Sequence, residues 1–118
     1  MRPFLMILVV SVFATPAFAE WNKIDSKQEL TKLVVGKNYA ATKSKAWFQL
    51  RSNGKLVGKA AGKDVAGRWK WSKGRVCYAR TLGGEKLPDE CVIIHVDGDK
   101  MITTRQSNGS KALYLRAK

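Results

Sequence analysis

The sequence predicts a mainly β protein, a small antiparallel β-barrel or a strongly curved sheet of about seven or eight strands with one N-terminal helix. Three observations predict it. From Tyr39 onward the chain breaks into short segments, several alternating apolar with polar residues, with turn residues between them. The turns are built on Asn53-Gly54, Lys73-Gly74, Asp97-Gly98 and Asn108-Gly109, where glycine supplies the positive φ that tight hairpins need. Ahead of them stands a single capping box, Ser26-Lys27-Gln28-Glu29, the mark of a helix start.

The N-terminal segment reads as an export signal. Arg2 provides the positive start, positions 4–13 form an apolar run, and Ala17-Phe18-Ala19 puts small residues at the two cleavage-site positions. The run is about half of the ~20 residues that a membrane-spanning helix requires, and Pro16 breaks any continuing helix. Residues 1–19 are therefore expected to be removed by cleavage after Ala19. That leaves 20–118 as a single β-rich domain, periplasmic or secreted, with no integral membrane segment. No cysteine stands near the cut, so a lipid anchor is not expected.

The helix is expected near 26–35, with Leu30, Leu33 and Val34 on one face and Gly36 as its stop. Strands are expected at 46–51, 56–60, 64–71, 76–82, 91–96, 100–105 and 112–116, with a longer loop around Gly83, Gly84 and Pro88. In 64–71, Val65, Gly67, Trp69 and Trp71 face one way, while Asp64, Ala66, Arg68 and Lys70 face the other. Trp69 and Trp71 are thereby candidate cavity-lining residues of a barrel, or simply its core. Gly58, Gly62 and Gly67 fit bulge or corner positions, since no helix follows them to make a phosphate cradle.

Both cysteines, Cys77 and Cys91, fall in the exported part. An oxidising compartment and an even count point to one disulfide, with buried free thiols or a redox pair as alternatives. A redox pair is usually close in sequence, which these are not. A loop of about 15 residues closed this way contributes roughly 3 kcal/mol in the chain-entropy model.

Charge is the strongest functional signal. The chain carries 22 Lys and Arg against 9 Asp and Glu, a net +13 that becomes +12 once Arg2 leaves with the signal. A magnitude of ~2–8 is typical of a soluble small domain. Between positions 43 and 80 there are eleven cations and one acid, Asp64, whereas five acids and one base lie between 85 and 99. Within the basic stretch, Lys55 and Lys59 share one strand face, Arg68 and Lys70 another, and Lys73 and Arg75 flank a turn. Trp47 and Arg51 share the parity opposite to Phe48 and Leu50, an outward aromatic beside a cation. These eight residues are the candidate anion-binding set; a solvated, solubilising face is the alternative.

Export directs the partner towards an anionic envelope polymer, a lipid headgroup or an acidic protein, and away from intracellular nucleic acid. No catalytic set is expected, because nothing resembles a nucleophile elbow. No metal site or cofactor is expected either, His95 being the only histidine.

The run Gly67-Arg68-Trp69-Lys70-Trp71, with Gly74-Arg75-Val76-Cys77 and then Glu90-Cys91, resembles a group of small exported bacterial proteins of unknown function. In that group a Gly-x-Trp strand and two cysteines recur in a lipocalin-like β-barrel. The resemblance implies a small β-barrel; some members of the group carry enzyme names, which the lack of any catalytic motif here does not support. Combined with the charge, it leads to a binding module whose basic surface engages anionic envelope components. The alternatives are a lipocalin-like carrier of a small apolar ligand, or an inhibitor of an envelope hydrolase.

Overall fold

The structure is a computed structural model and describes residues 21–117. The expected signal segment and its cleavage site after Ala19 lie outside the described residues. The elements run β1 (Asn22–Lys23), α1 (Lys27–Leu33), β2 (Asn38–Ala41), β3 (Trp47–Leu50), β4 (Lys55–Ala60) and β5 (Lys63–Ser72). They continue as β6 (Arg75–Leu82), β7 (Glu85–Lys86), β8 (Glu90–Asp97), β9 (Lys100–Arg105) and β10 (Lys111–Arg116).

Every pairing is antiparallel, as hairpin connections require. Eight strands close into a barrel in the order β2-β3-β4-β5-β6-β8-β9-β10, with β10 returning to β2. The closed barrel, rather than the open curved sheet, is the architecture. The two-residue strands β1 and β7 are additional to it, pairing with β8 and β6 on either side of the seam where those strands meet. Two sequence expectations are corrected. The helix is not the N-terminal element, since β1 precedes it. Gly83-Gly84 is a tight turn, with φ of 58° and 87°, that hands β6 directly to β7, so the looser connection begins only after Lys86.

The capping box works with one displacement. Ser26 Oγ accepts from the Glu29 N–H at 3.1 Å, but the Glu29 carboxylate accepts from the Asp25 N–H, one residue before the cap. Leu30 and Val34 are fully buried, Leu33 packs beside them, and Gly36 takes a φ of 85° just beyond the helix. The apolar stripe closes one end of the barrel. Leu30, Val34 and Ile24 join Tyr39, Leu50, Leu56, Trp69 and Met101 in one core. Each such aliphatic side chain contributes roughly 1.5–3 kcal/mol by leaving water. Polar links fix the plug: the Tyr39 hydroxyl donates to the Leu33 carbonyl at 3.2 Å, and the Gly36 N–H donates to the Leu50 carbonyl at 2.7 Å. Burial raises the Tyr39 phenol above its ordinary pKa.

Gly58 and Gly67 are neither turn nor bulge. Both sit inside regular ladders on the inward face, opposite Phe48 and Arg80 respectively. A Cβ on Gly67 would fall 2.0 Å from the Ala79 carbonyl oxygen, and one on Gly58 would fall 2.2 Å from that of Trp47. The missing side chains let neighbouring strands approach as the sheet coils shut.

Candidate functional site

Closing one end of the barrel with α1 leaves the other end free, and a cavity of about 330 Å³ occupies that half. Its floor is Leu50, Leu56, Val76 and Ile94, residues shared with the core. Its walls are inward residues of the surrounding strands: Phe48, Val65, Tyr78, Leu82, Val92 and Tyr114. Phe48 stacks on Tyr39 at 5.9 Å between ring centroids and meets Tyr114 edge-on at 5.0 Å, so the aromatic wall is braced from the core side.

Two arginines enter this apolar space. Register places Arg80 opposite Gly67 and Arg105 opposite Val92, both on the inward face, and both line the cavity. The Arg80 guanidinium lies 4.8 Å from the centroid of the Tyr78 ring, a cation–π arrangement. Among the described residues, Arg80 Nη1 is the one buried side-chain nitrogen or oxygen that has no hydrogen-bond partner. Arg105 differs, being exposed and having an acid in its field. That acid, Glu90, is held below the usual carboxylate range first by the Ser107 hydroxyl, which donates to it at 2.6 Å, then by backbone N–H groups and by Arg105. Tyr78 is raised by burial, an effect that the two arginines oppose.

Trp69 and Trp71 face inward as their parity predicts, but neither lines this cavity. Trp69 is core, 8% exposed, with its indole N–H donating to the Arg51 carbonyl at 2.8 Å; Trp71 packs against the same core.

Of the eight anion-site candidates, Trp47 and Lys59 line the cavity, and the other six are spread over the rest of the surface. Lys55 and Arg68 stand directly opposite one another on β4 and β5, and Arg68 reaches over the turn at Gly54. Lys59 pairs with Asp64 at 3.8 Å beside the half-buried Trp47, an exposed bridge of little energetic weight. Lys70 lies opposite Cys77. Arg51 donates to the Gln49 side chain and Arg75 to that of Gln106, while Lys73 occupies the β5–β6 turn with a φ of 49°. The structure thus brings Lys55 against Arg68 and Trp47 against Lys59, and leaves the others dispersed.

Arg80 and Arg105 were not among the sequence candidates. A signal for the first is present: Val76, Tyr78, Arg80 and Leu82 share one parity, so a charge stands in an apolar row.

Cys77 and Cys91 are disulfide-bonded, directly opposite each other on β6 and β8. Among the described residues, no group of three or more His, Cys, Asp or Glu side chains is placed to hold a metal ion, and no helix is long and apolar enough to cross a membrane. No family model, curated protein or solved structure matches the chain.

Proposed function

We propose that this protein is an exported, non-enzymatic carrier that holds a small, largely apolar ligand inside its barrel. The reading rests on one observation, the cavity of about 330 Å³ whose floor and walls are apolar at the end of the barrel away from α1. Small-molecule sites of ≈ 300–1,000 Å³ typically combine such walls with a few placed polar groups. Export to the periplasm or the medium is read from the N-terminal segment, and a disulfide suits such a compartment.

Filling the cavity tests the reading. Leu82 faces inward in the free half of the barrel, and Leu82→Trp would place an indole in the ligand's space. A neutral fluorophore, N-phenyl-1-naphthylamine, is expected to bind the wild type saturably at one per chain. The variant, with its circular dichroism unchanged, should bind about tenfold more weakly or worse. Equal binding by both proteins would remove the interior as the site.

A second reading keeps the basic outer face as a contact for anionic envelope polymer, lipid headgroup or acidic protein. It is favoured by Lys55 and Arg68, like charges directly opposed across a ladder with no ion-pair partner among the described residues. Such pairs are unfavourable on their own and become favourable when an anion is shared between them.

A further inference from the structure

We infer that the ligand is an amphipathic monoanion, a medium-chain carboxylate, whose head group is received by Arg80 while its chain fills the apolar half-barrel. This deepens the carrier reading and rests on it.

Charge balance inside the barrel carries the inference. Arg80 is always cationic, and it projects from an inward position into a space whose other walls are mostly hydrocarbon. Its Nη1 is buried without an acceptor, and no carboxylate among the described residues pairs with it. The Tyr78 ring face offsets some of the lost hydration but supplies no hydrogen-bond acceptor in the plane of the guanidinium. Arg80 is only half-buried, but a guanidinium nitrogen shut off from water without an acceptor is costly, and the cost falls when an anion supplies one. Arg105, by contrast, is exposed, so solvent screens its charge.

One unanswered positive charge calls for one negative charge. The planar guanidinium fork matches a carboxylate in bidentate geometry, whereas the second negative charge of a phosphate monoester would meet only the exposed cations of the lining, Arg105 and the Asp64-paired Lys59. Size sets the chain. At ≈ 30 Å³ per water in the liquid, the cavity corresponds to roughly a dozen non-hydrogen atoms, the size of decanoate. The cavity that Arg80 enters is also lined by Phe48, Val65, Leu82 and Val92, side chains that suit an alkyl chain and offer it no hydrogen bonds.

The experiment compares decanoate with 1-decanol as competitors of N-phenyl-1-naphthylamine in wild type, Arg80→Met and Arg80→Lys. Decanoate is expected to bind the wild type about 10- to 100-fold more tightly than decanol, the range of a charge-assisted hydrogen-bonded pair. Arg80→Met keeps an unbranched stem without charge, and should bring the two ligands to about equal affinity. Arg80→Lys, which keeps the charge and loses the fork, should retain only part of the preference, and it decides the matter if the methionine variant does not fold. Equal affinities in the wild type, or a full preference surviving in either variant, would overturn the assignment to Arg80 while decanol binding still upheld the carrier reading. If neither ligand displaces the fluorophore from the wild type, the carrier reading falls and this inference falls with it.

Discussion

Replacing Cys77 and Cys91 together by serine is expected to lower the stability of the domain by about 3 kcal/mol, the chain-entropy value for a loop of roughly 15 residues. For a domain near 100 residues this is a fall in melting temperature of about 12–24 °C. The site of the bridge makes the loss structural as well as entropic. One seam of the barrel is where β6 meets β8, joined by three residue pairs: Val76 with Val92, Cys77 with Cys91, and Tyr78 with Glu90. The disulfide is the middle pair. On one side β8 runs on to pair with β1, and on the other β6 turns back on itself through β7, so neither neighbour can reinforce the seam directly. Val76 and Val92 form part of the cavity lining, and opening the seam would admit water to it. Thermal unfolding followed by circular dichroism checks this, with the wild type under reductant expected to match the double variant. A loss well below 1 kcal/mol would show that the seam holds without its covalent link.

Gly67→Ala is expected to cost about as much, through crowding. The added methyl would lie 2.0 Å from the Ala79 carbonyl oxygen and 2.8 Å from the Arg80 Cα, and both are backbone atoms of β6. No side chain can swing aside, so β5 and β6 must separate along their long shared ladder. Overpacking of this kind costs about 1–3 kcal/mol, and the upper end applies where main chain must move. The same displacement would carry Arg80 out of place, so decanoate affinity should fall in parallel. Gly62→Ala is the contrast. A Cβ there meets nothing within 4 Å, and only its φ of 75° resists the change, at about 1–2 kcal/mol. Chemical denaturation of the two variants should rank Gly67→Ala as the more damaging. The reverse order would contradict the close strand approach.

Much of the barrel was legible because local rules govern it. The capping box, the Gly36 stop and the glycine turns each depend on a few adjacent residues, and the strands they delimit lie within a residue or two of their expected positions. Parity also separated the outward Arg68 and Lys70 from the inward Trp69 and Trp71. What parity cannot convey is height along the barrel axis. Whether an inward residue belongs to the plugged end or to the free end is fixed by strand stagger, and stagger is settled only when β10 meets β2, where Tyr114 pairs with Ala41 across most of the sequence. For that reason parity gives the two tryptophans an inward face but leaves core and cavity lining as alternatives, and the structure makes them core. Arg80 was overlooked for a related reason. Lysines and arginines are usually surface residues, and that expectation outweighed its place in the row Val76, Tyr78, Arg80, Leu82. The Gly83-Gly84 turn is hard to tell from a loop in the sequence because β7 is only two residues long and leaves no alternation to recognise.

The interior and exterior sites make opposite demands on one measurement, a titration of the isotopically labelled protein with decanoate followed by nuclear magnetic resonance. If the barrel is the site, the shifts should saturate at one equivalent and be largest at Val65, Tyr78, Arg80, Val92 and Tyr114, the inward residues of the free half. Lys55, Arg68 and Lys70 on the outer face should barely move. Shifts confined to those outer cations, with the inward aromatic and valine signals unchanged, would contradict the carrier account and leave the basic surface as the place where this protein meets its anion.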